Sequence, residues 1–486
     1  MVKFNKAELR DKIYGCWIGK NIGGTMGTPY EGKRDLLDIE GFVTKPGEVL
    51  ANDDLDLQLV WLRAVDEIGP RAVNARTLGE YWLSYIGPNW NEYGVGKSNM
   101  RAGLPPPISG EIDNGAWKHS NGAWIRTEIW ACLYPACVEE AIHYAFEDAS
   151  VDHGFGEGSY AAIFIAAMES AAFVVSDVRK LIDIGLSKIP EDCRIARSVK
   201  LVVDSYGKGV DWRTCRNMLV EDSADLGWFQ APANIGFVIL GLLYGEGDFK
   251  KSMILAINCG DDTDCTGATL GSILGIANGV AGLPKDWMAY LGDDIVTISI
   301  IKGHGFYPRT CSELTDCVVN MLPVTLHATN YQFATGSQKV IVHDGATETD
   351  VGPESFMGRA FVERTFSKPR FVFRADGLTV SAEAAFESEP RIAPLGTITG
   401  KLSVWTHDMP EQKRFQIRWW LPDGWSISGR TSIYGYGAYS PNNAVDSAEF
   451  TVTAGDSAAA NSRLVAEITC PGRLEALYLP VVLLGA

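Results

Sequence analysis

The chain has 486 residues, of which 46% are hydrophobic and 21% are charged, and its formal net charge at pH 7 is −17. This length predicts two or three domains, and the composition excludes disorder on a large scale. The acidic balance excludes nucleic acid and anionic membranes as partners, because phosphate-rich surfaces are bound by basic protein surfaces. An anionic small molecule could still be held locally.

The ten cysteines are scattered without CxxC pairs, which predicts reduced, mostly buried thiols and excludes zinc-finger spacing. The sequence as written shows no charged-then-apolar leader and no apolar run of about 18 residues. We therefore expect a cytoplasmic protein with no membrane contact. The oligomeric state is not defined by the sequence.

The first predicted helix covers residues 5–20, where apolar side chains recur at helical spacing. The following stretch, NIGGTMGTPYEG at residues 21–32, contains several glycines and a proline, so we expect it to end the helix. Glu31 would then be presented on a loop. Taken alone, Glu31 is equally well explained as a solvated loop residue.

Two acidic clusters each begin an apolar helix: NDDLDLQL at residues 52–59 and GDDTDC at residues 260–265. A single Asp there is an ordinary cap, which the helix dipole favours by roughly 0.3–1 kcal/mol. Several carboxylates together repel one another as they leave water. Two such clusters predict the halves of one hard-metal site, and we expect Asp53, Asp54, Asp262 and Asp264 to form it.

The nature of these ligands limits the choice of metal. A carboxylate-rich and histidine-poor set selects Mg²⁺, with Mn²⁺ or Ca²⁺ as alternatives, over zinc or copper. Asn52 and Cys265 stand beside the carboxylates and complete the candidate ligand set. Two ions would balance four carboxylates better than one, and paired metals can orient sugar hydroxyls and lower the pKa of a water molecule.

Two further stretches could line a site. Residues 94–122 are rich in glycine, proline and polar residues, and we expect them to form a long ordered loop. Together with Trp90, Tyr93 and Trp117, this loop would form the wall of a cleft. The second stretch is GWFQAPAN at residues 227–234.

The pattern predicts a multi-domain fold that combines α and β domains. Helical spacing continues to about residue 330, which predicts an all-α orthogonal helical bundle over residues 1–330 as the catalytic domain. Residues 331–368 are expected to form a linker with short strands. Alternating residues and turn signals over residues 369–486 predict an Ig-like β-sandwich, which we expect to serve packing or recognition.

The motifs resemble those of the ADP-ribosylglycohydrolase (dinitrogenase reductase-activating glycohydrolase) family over roughly residues 8–295. The most specific motif is GDDTD, and the order and spacing of all the blocks support the resemblance. The blocks are GCWIGKNIGGTMGTPYEG (15–32), NDDLDLQL (52–59), SNGAWIR (120–126), the Asp-His pair at 152–153, GDDTDCTGATLGSILGIANG (260–279) and GLPKDW (282–287).

The resemblance implies a binuclear Mg²⁺ centre at the base of a cleft. By it, Asp53 and Asp54 match the first pair of ligands, Asp262 and Asp264 match the second pair, and Glu31 matches a glutamate on a loop that covers the metals. Positions near the bound ADP-ribose are matched by Asn121, Gly122 and His153. The implied activity is hydrolysis of an N- or O-glycosidic bond at the anomeric carbon through metal-bound water, with Glu31, Asp54 and Asp262 as the catalytic residues.

Two of the candidate metal ligands depart from the family pattern, as do Leu55, where Thr is common, and Gly24, where Asp is common. Asn52 stands where Ser or Thr is usual, and its amide oxygen can still ligate a hard ion. Cys265 stands where Thr is usual, and its soft sulfur is a poor ligand for Mg²⁺. The substrate therefore stays open between small-molecule or protein-linked ADP-ribose and another carbohydrate or nucleoside glycoside, and a non-catalytic protein that binds ADP-ribose or metal is a third alternative.

Overall fold

The computed structural model describes residues 1–51, 53–303, 307–330, 340–406, 412–435 and 446–486. Asn52, one of the expected metal ligands, lies outside these residues. The chain divides into two compact units, the first made of residues 1–97 and 113–365 and the second of residues 98–112 and 366–486. No helix in the described part of the chain is long and apolar enough to span a bilayer.

Helices dominate the first unit. In chain order, the α-helices of the described residues are α1 Lys6–Gly27, α2 Asp53–Ile68, α3 Ala75–Tyr85, α4 Asn91–Arg101, α5 Ile108–Glu111, α6 Glu128–Leu133, α7 Val138–His153, α8 Glu157–Ala172, α9 Val178–Leu186, α10 Arg194–Gly207, α11 Trp212–Asp222, α12 Ala231–Tyr244, α13 Phe249–Asn258, α14 Thr263–Asn278, α15 Lys285–Leu291, α16 Cys311–Asn330 and α17 Ala360–Phe366. Short 3₁₀ helices cover Thr28–Tyr30, Pro70–Ala72, Trp124–Arg126, Val280–Gly282 and Pro353–Phe356.

A small sheet joins distant parts of the first unit. Its strands are β1 Val2–Asn5, β2 Val340–His343 and β3 Glu348–Thr349, in the order β2-β1-β3. β1 runs parallel to β2 and antiparallel to β3. The chain therefore returns to its own beginning before residue 366, where the longer part of the second unit starts.

Two five-stranded sheets form the second unit. The strands are β4 Phe371–Asp376, β5 Val380–Phe386, β6 Arg391–Ile392, β7 Thr397–Thr406, β8 Lys413–Trp420, β9 Ser426–Gly429, β10 Ser432–Gly435, β11 Asp446–Thr453, β12 Asn461–Thr469 and β13 Ala476–Gly485. The strand orders are β4-β5-β7-β11-β9 and β10-β8-β12-β13-β6. Burial alternates along β7 and β12, as expected when one face of a strand is packed against a core. The predicted fold class, a helical domain followed by a β domain, is confirmed.

Residues 98–112 depart from the prediction of a single loop at 94–122. The part up to Arg101 continues helix α4, and Ile108–Glu111 forms α5. Leu104, Ile108 and Ile112 are buried in the same hydrophobic cluster as residues of both five-stranded sheets. The apolar residues of this proline-rich segment therefore serve the core of the second unit.

The first helix also differs from the prediction, because α1 continues through its glycines to Gly27. Asn5 caps its beginning, and the Asn5 side chain accepts hydrogen bonds from the backbone amides of Ala7 and Glu8. Glycine in a helix interior costs about 1 kcal/mol relative to alanine. Here tertiary packing compensates for that cost, since the glycines of α1 face a second glycine-rich helix.

Candidate functional site

Two glycine stripes hold α1 against α14. Gly15, Gly19, Gly23 and Gly27 recur every fourth residue along α1, and they face a matching stripe on α14, formed by Gly267, Gly271 and Gly275. A Cβ atom on Gly15 would lie 2.6 Å from the carbonyl oxygen of Gly275. Because glycine has no side chain, the two backbones touch, and the C-terminal end of α1 lies beside the N-terminal end of α14.

This packing fixes the segment that carries Glu31. The Thr263 hydroxyl donates a hydrogen bond to the carbonyl of Gly27 at 2.8 Å. The amide of Gly32 donates to the carbonyl of Asp261 at 2.8 Å, and the amide of Asp261 donates to the carbonyl of Lys33 at 2.7 Å. Glu31 is therefore tied to the GDDTDC segment through the backbone on both sides.

The two predicted acidic clusters meet in the structure, although about 200 residues separate them in the chain. One ligand atom from each of Asp54, Asp264 and Cys265 lies within 4.8 Å of the others. The same holds for Glu31, Asp262 and Asp264. Asp264 belongs to both sets, so the structure joins them into one acidic centre.

Asp53 and Asp262 are oriented by neighbouring side chains. The Tyr93 hydroxyl donates to Asp53 Oδ2 at 2.6 Å, and Asn121 Nδ2 donates to Asp262 Oδ2 at 2.6 Å. Asp56, in the same acidic segment, instead accepts hydrogen bonds from the amides of Ile298 and Ser299. Asp56 therefore fixes a neighbouring chain segment, while Asp53 and Asp262 are held in place beside the acidic centre.

Several carboxylate oxygens of the centre are buried and have no hydrogen-bond partner among the described residues: Asp54 Oδ1 and Oδ2, Asp262 Oδ1 and Asp264 Oδ1. Buried polar atoms are normally paired, because burying them without a partner is costly. Burial raises the pKa of Asp262 to about 8. It also raises the pKa of Asp54 and Asp264 well above the usual range, with a contribution from neighbouring carboxylates. These oxygens fit the donor set of a hard cation.

A cavity of about 390 Å³ opens onto this centre. Glu31, Asp53, Asp262, Asp264 and Cys265 line one part of it. The remaining lining includes Trp90, Asn91, Glu92, Tyr93, Ser120, Asn121, Gly122 and Phe229. Among the described residues, Asp54 and Trp117 do not line this cavity. Asp54 is fully buried, and its carboxylate belongs to the acidic centre.

The three residues expected near the substrate occupy different positions. Asn121 and Gly122 line the cavity, whereas His153 is fully buried behind Ser120. His153 Nε2 lies 3.0 Å from Ser120 Oγ, and its Nδ1 lies 2.8 Å from Asp152 Oδ1. His153 would therefore act on a substrate indirectly, through its contact with Ser120.

The sequence did not single out Glu92 or Ser120 as site residues. Glu92 begins a helix beside aromatic residues, which is typical of an exposed first turn, and Ser120 stands in a polar turn-like segment. Phe229 lies in the GWFQAPAN stretch that was expected to line a site, and it has a positive φ of 55°. Such a backbone conformation is uncommon for a bulky residue and concentrates at functional sites.

The fold and the site together define the class of protein: it has a helical domain with a carboxylate-rich centre at a cavity. A family model described as ADP-ribosylglycohydrolase matches residues 5–310, and the chain belongs to this family. The predicted resemblance is thereby confirmed. Family membership supports a hydrolase of the glycohydrolase type.

Two solved structures were compared with the chain. One, titled "ADP-ribosylglycohydrolase-related protein complex", has 19% identity and a TM-score of 0.43, and the match covers 66% of this chain and 99% of the other. A FixG-related protein from Vibrio parahaemolyticus has 12% identity and a TM-score of 0.18, with coverage of 22% and 94%. Neither similarity is used to infer the function. No curated protein matches the chain.

Proposed function

We propose that the protein is a divalent-cation-dependent glycohydrolase that cleaves the glycosidic bond between the anomeric carbon of an ADP-ribosyl group and a small molecule or a protein side chain. The observation that carries this proposal is the meeting of two distant acidic segments at one cavity, with buried carboxylate oxygens that have no hydrogen-bond partner among the described residues. Membership of the ADP-ribosylglycohydrolase family supports the type of reaction.

Asp53, Asp54, Asp262 and Asp264 would hold one or two Mg²⁺ ions, with Mn²⁺ or Ca²⁺ as alternatives. Cys265 Sγ lies in the same group of ligand atoms. Burial and the nearby carboxylates raise the pKa of the Cys265 thiol well above its usual value, so it would join the ion only after losing its proton. When bound, such cations polarise a substrate oxygen and lower the pKa of a coordinated water.

The chain's own residues then have distinct tasks. Glu31 is exposed beside Asp262 and Asp264, where its carboxylate can accept a proton from the attacking water. Asn121 holds Asp262 through its amide hydrogen bond. The rings of Trp90 and Phe229 give the cavity apolar walls on which a planar base can stack.

Removal of divalent cations should stop the reaction. We expect release of ADP-ribose from an ADP-ribosylated peptide in Mg²⁺, loss of that release in excess chelator and recovery on adding Mg²⁺ back, all followed by mass spectrometry. Equal release with and without chelator would contradict cation dependence. Calorimetric binding of ADP-ribose with no product over hours would instead identify a non-catalytic binding protein.

A second candidate is hydrolysis of another carbohydrate or nucleoside glycoside. It is favoured by the indole of Trp90, which is 45% exposed, because sugar rings pack against exposed aromatic faces. A panel of glycosides and nucleosides assayed beside the ADP-ribosylated peptide separates the two candidates. Faster turnover of a panel member than of the peptide would favour the second candidate.

Replacing Tyr93 by phenylalanine should weaken cation binding, because the hydroxyl that orients Asp53 is lost. Partners that orient a ligand typically change metal affinity 10–100-fold, and we expect about a tenfold loss in calorimetric titration with Mg²⁺. Tyr81→Phe is the matched control, since the Tyr81 hydroxyl donates to Glu67 away from the cavity. Equal affinities for both variants would argue against Asp53 as a ligand.

A further inference from the structure

Glu92 presents a carboxyl group to the cavity from the first turn of α4. Its side chain is only 6% exposed, and its Oε2 atom has no hydrogen-bond partner in the described part of the chain. The preceding residue, Asn91, has a positive φ of 37° and also lines the cavity. A carboxyl group with a buried, unpartnered oxygen in a residue that lines a cavity requires an explanation, since such groups are normally paired.

A chain of polar groups supports Glu92 from behind. Ser120 lines the same cavity, and hydrogen bonding from its side chain lowers the pKa of the Glu92 carboxyl group. Ser120 Oγ in turn lies 3.0 Å from His153 Nε2, and His153 Nδ1 lies 2.8 Å from Asp152 Oδ1. The hydroxyl of Ser120 can both donate and accept, so this chain can carry a proton to Glu92.

The carboxyl of Glu92 is distinct from the acidic centre but close to the groups that orient it. Its neighbour Tyr93 donates to Asp53. The Glu92 carboxyl packs against Gly122, where a Cβ atom would overlap Oε1, and the adjacent Asn121 donates to Asp262. Glu92 itself does not belong to either group of clustered ligand atoms among the described residues. It is therefore a separate acid in the same cavity.

The surroundings of Glu92 favour its protonated form near neutral pH. Burial raises its pKa to about 7, and the negative charge of Asp152 contributes in the same direction. His153 and the hydrogen bond from Ser120 oppose the rise. A carboxyl group of this kind can hold a proton at neutral pH and release it to a substrate.

We propose that Glu92 is a catalytic acid that protonates the leaving-group oxygen as the glycosidic bond breaks. The inference rests on the glycohydrolase function proposed above. Its geometric basis is the place of Glu92 in the cavity lining, a buried Oε2 atom with no hydrogen-bond partner among the described residues, and the nearby acidic centre.

For a substrate whose leaving group is an alcohol, one bond forms and one bond breaks at the anomeric carbon. The oxygen of water forms a bond to the anomeric carbon, and the bond from that carbon to the leaving oxygen breaks. The electron pair of the broken bond goes to the leaving oxygen, which takes the proton of Glu92. The water loses one proton to Glu31, which then releases it to solvent, and Glu92 regains one proton through Ser120 and His153 or from solvent. The net reaction therefore consumes one water and leaves both carboxyl groups as they began.

Glu92→Gln tests the assignment with two substrates, an ADP-ribosylated serine peptide and 4-nitrophenyl ADP-riboside. The serine alkoxide needs a proton as it leaves, whereas 4-nitrophenolate leaves without one. General acids contribute about 10²–10⁴-fold, so we expect kcat on the peptide to fall at least about 100-fold. Turnover of the nitrophenyl substrate and calorimetric affinity for Mg²⁺ should stay close to wild type.

Glu169→Gln is the matched control, because Glu169 is a fully buried carboxyl with an unpartnered Oε1 that does not line the cavity in the described chain. It should leave both activities unchanged. Equal losses on the two substrates in Glu92→Gln would overturn the assignment and indicate a structural role. A wild-type protein that cleaves neither substrate would overturn the glycohydrolase function itself, and the role of Glu92 with it.

The pH dependence of kcat distinguishes a catalytic acid from a residue with only a structural role. An acid must be protonated to act, so wild-type kcat on the peptide should fall as pH rises through about 7, the pKa of Glu92. This alkaline decline should be absent in Glu92→Gln. In Ser120→Ala it should move to higher pH, because the lost hydrogen bond stabilised the charged carboxylate. A decline that is identical in all three proteins would contradict the proposal.

Discussion

Replacing Asp262 by asparagine is expected to abolish Mg²⁺-dependent hydrolysis while the fold is retained. Asp262 brings to the acidic centre one buried oxygen that has no partner among the described residues, and its other oxygen accepts the hydrogen bond from Asn121. Asparagine preserves the shape and one acceptor but removes the charge. Metal ions contribute several kcal/mol to catalysis, so we expect kcat/KM to fall by at least about 10³-fold.

The adjacent aspartate provides the control for this variant. Asp261 accepts hydrogen bonds from the Phe229 amide and the Asn234 side chain, and it is in neither group of clustered ligand atoms in the described chain. Its φ of 65° is a conformation that asparagine tolerates. Asp261→Asn should retain the increase in Tm caused by Mg²⁺, whereas Asp262→Asn should lose it. Unchanged turnover in Asp262→Asn would exclude this carboxylate from the chemistry.

Gly271→Ala is expected to have the largest effect on stability. The added methyl group would overlap the backbone carbonyl of Gly19, and a backbone cannot move aside as a flexible side chain can. Overpacking a tight core costs about 1–3 kcal/mol and occasionally more, and we expect the upper end of that range. Thermal unfolding followed by circular dichroism should show a lower Tm for the first unit.

Gly207→Ala is the matched control, since Gly207 ends helix α10 and a Cβ atom there would meet nothing within 4 Å among the described residues, apart from its chain neighbours and the backbone of its own helix. This change should be neutral or should stabilise the protein by up to about 1 kcal/mol. A separation of α1 from α14 would also move Glu31 away from Asp264, so Gly271→Ala should lower the affinity for Mg²⁺. A Tm equal to that of Gly207→Ala would contradict the close backbone contact.

The acidic centre could be predicted from the sequence because its carboxylates lie where apolar helices begin. A charged group in such a position is either a cap or a ligand, and the repeated pattern favoured ligands. The structure brings both halves together, as shown by the clustering of Asp54, Asp262 and Asp264. The roles of these residues as metal ligands and catalysts remain predictions.

Other features depend on tertiary structure and leave little trace in the local sequence. The glycines after Lys20 predicted the end of a helix, because glycine has a low helix propensity. In the structure these glycines pack against the glycine stripe of α14, and a propensity that is local in sequence cannot show this contact. Leu104 and Ile108 lie in a proline-rich segment, and their burial depends on strands more than 260 residues later in the chain. Glu92 could not be recognised for the same reason, since its carboxyl group is buried against Gly122, about 30 residues later in the chain.

Anomalous diffraction from crystals soaked in Mn²⁺ tests the central claim most directly, because it locates the cation without reference to activity. We predict at least one strong peak in contact with carboxylate oxygens of Asp264 and Asp54, with a second ion, where present, beside Asp262. The Asp262→Asn variant should weaken or lose the peak next to residue 262. Absence of any peak within the acidic centre at saturating Mn²⁺ would contradict the claim that the two acidic segments form one metal site.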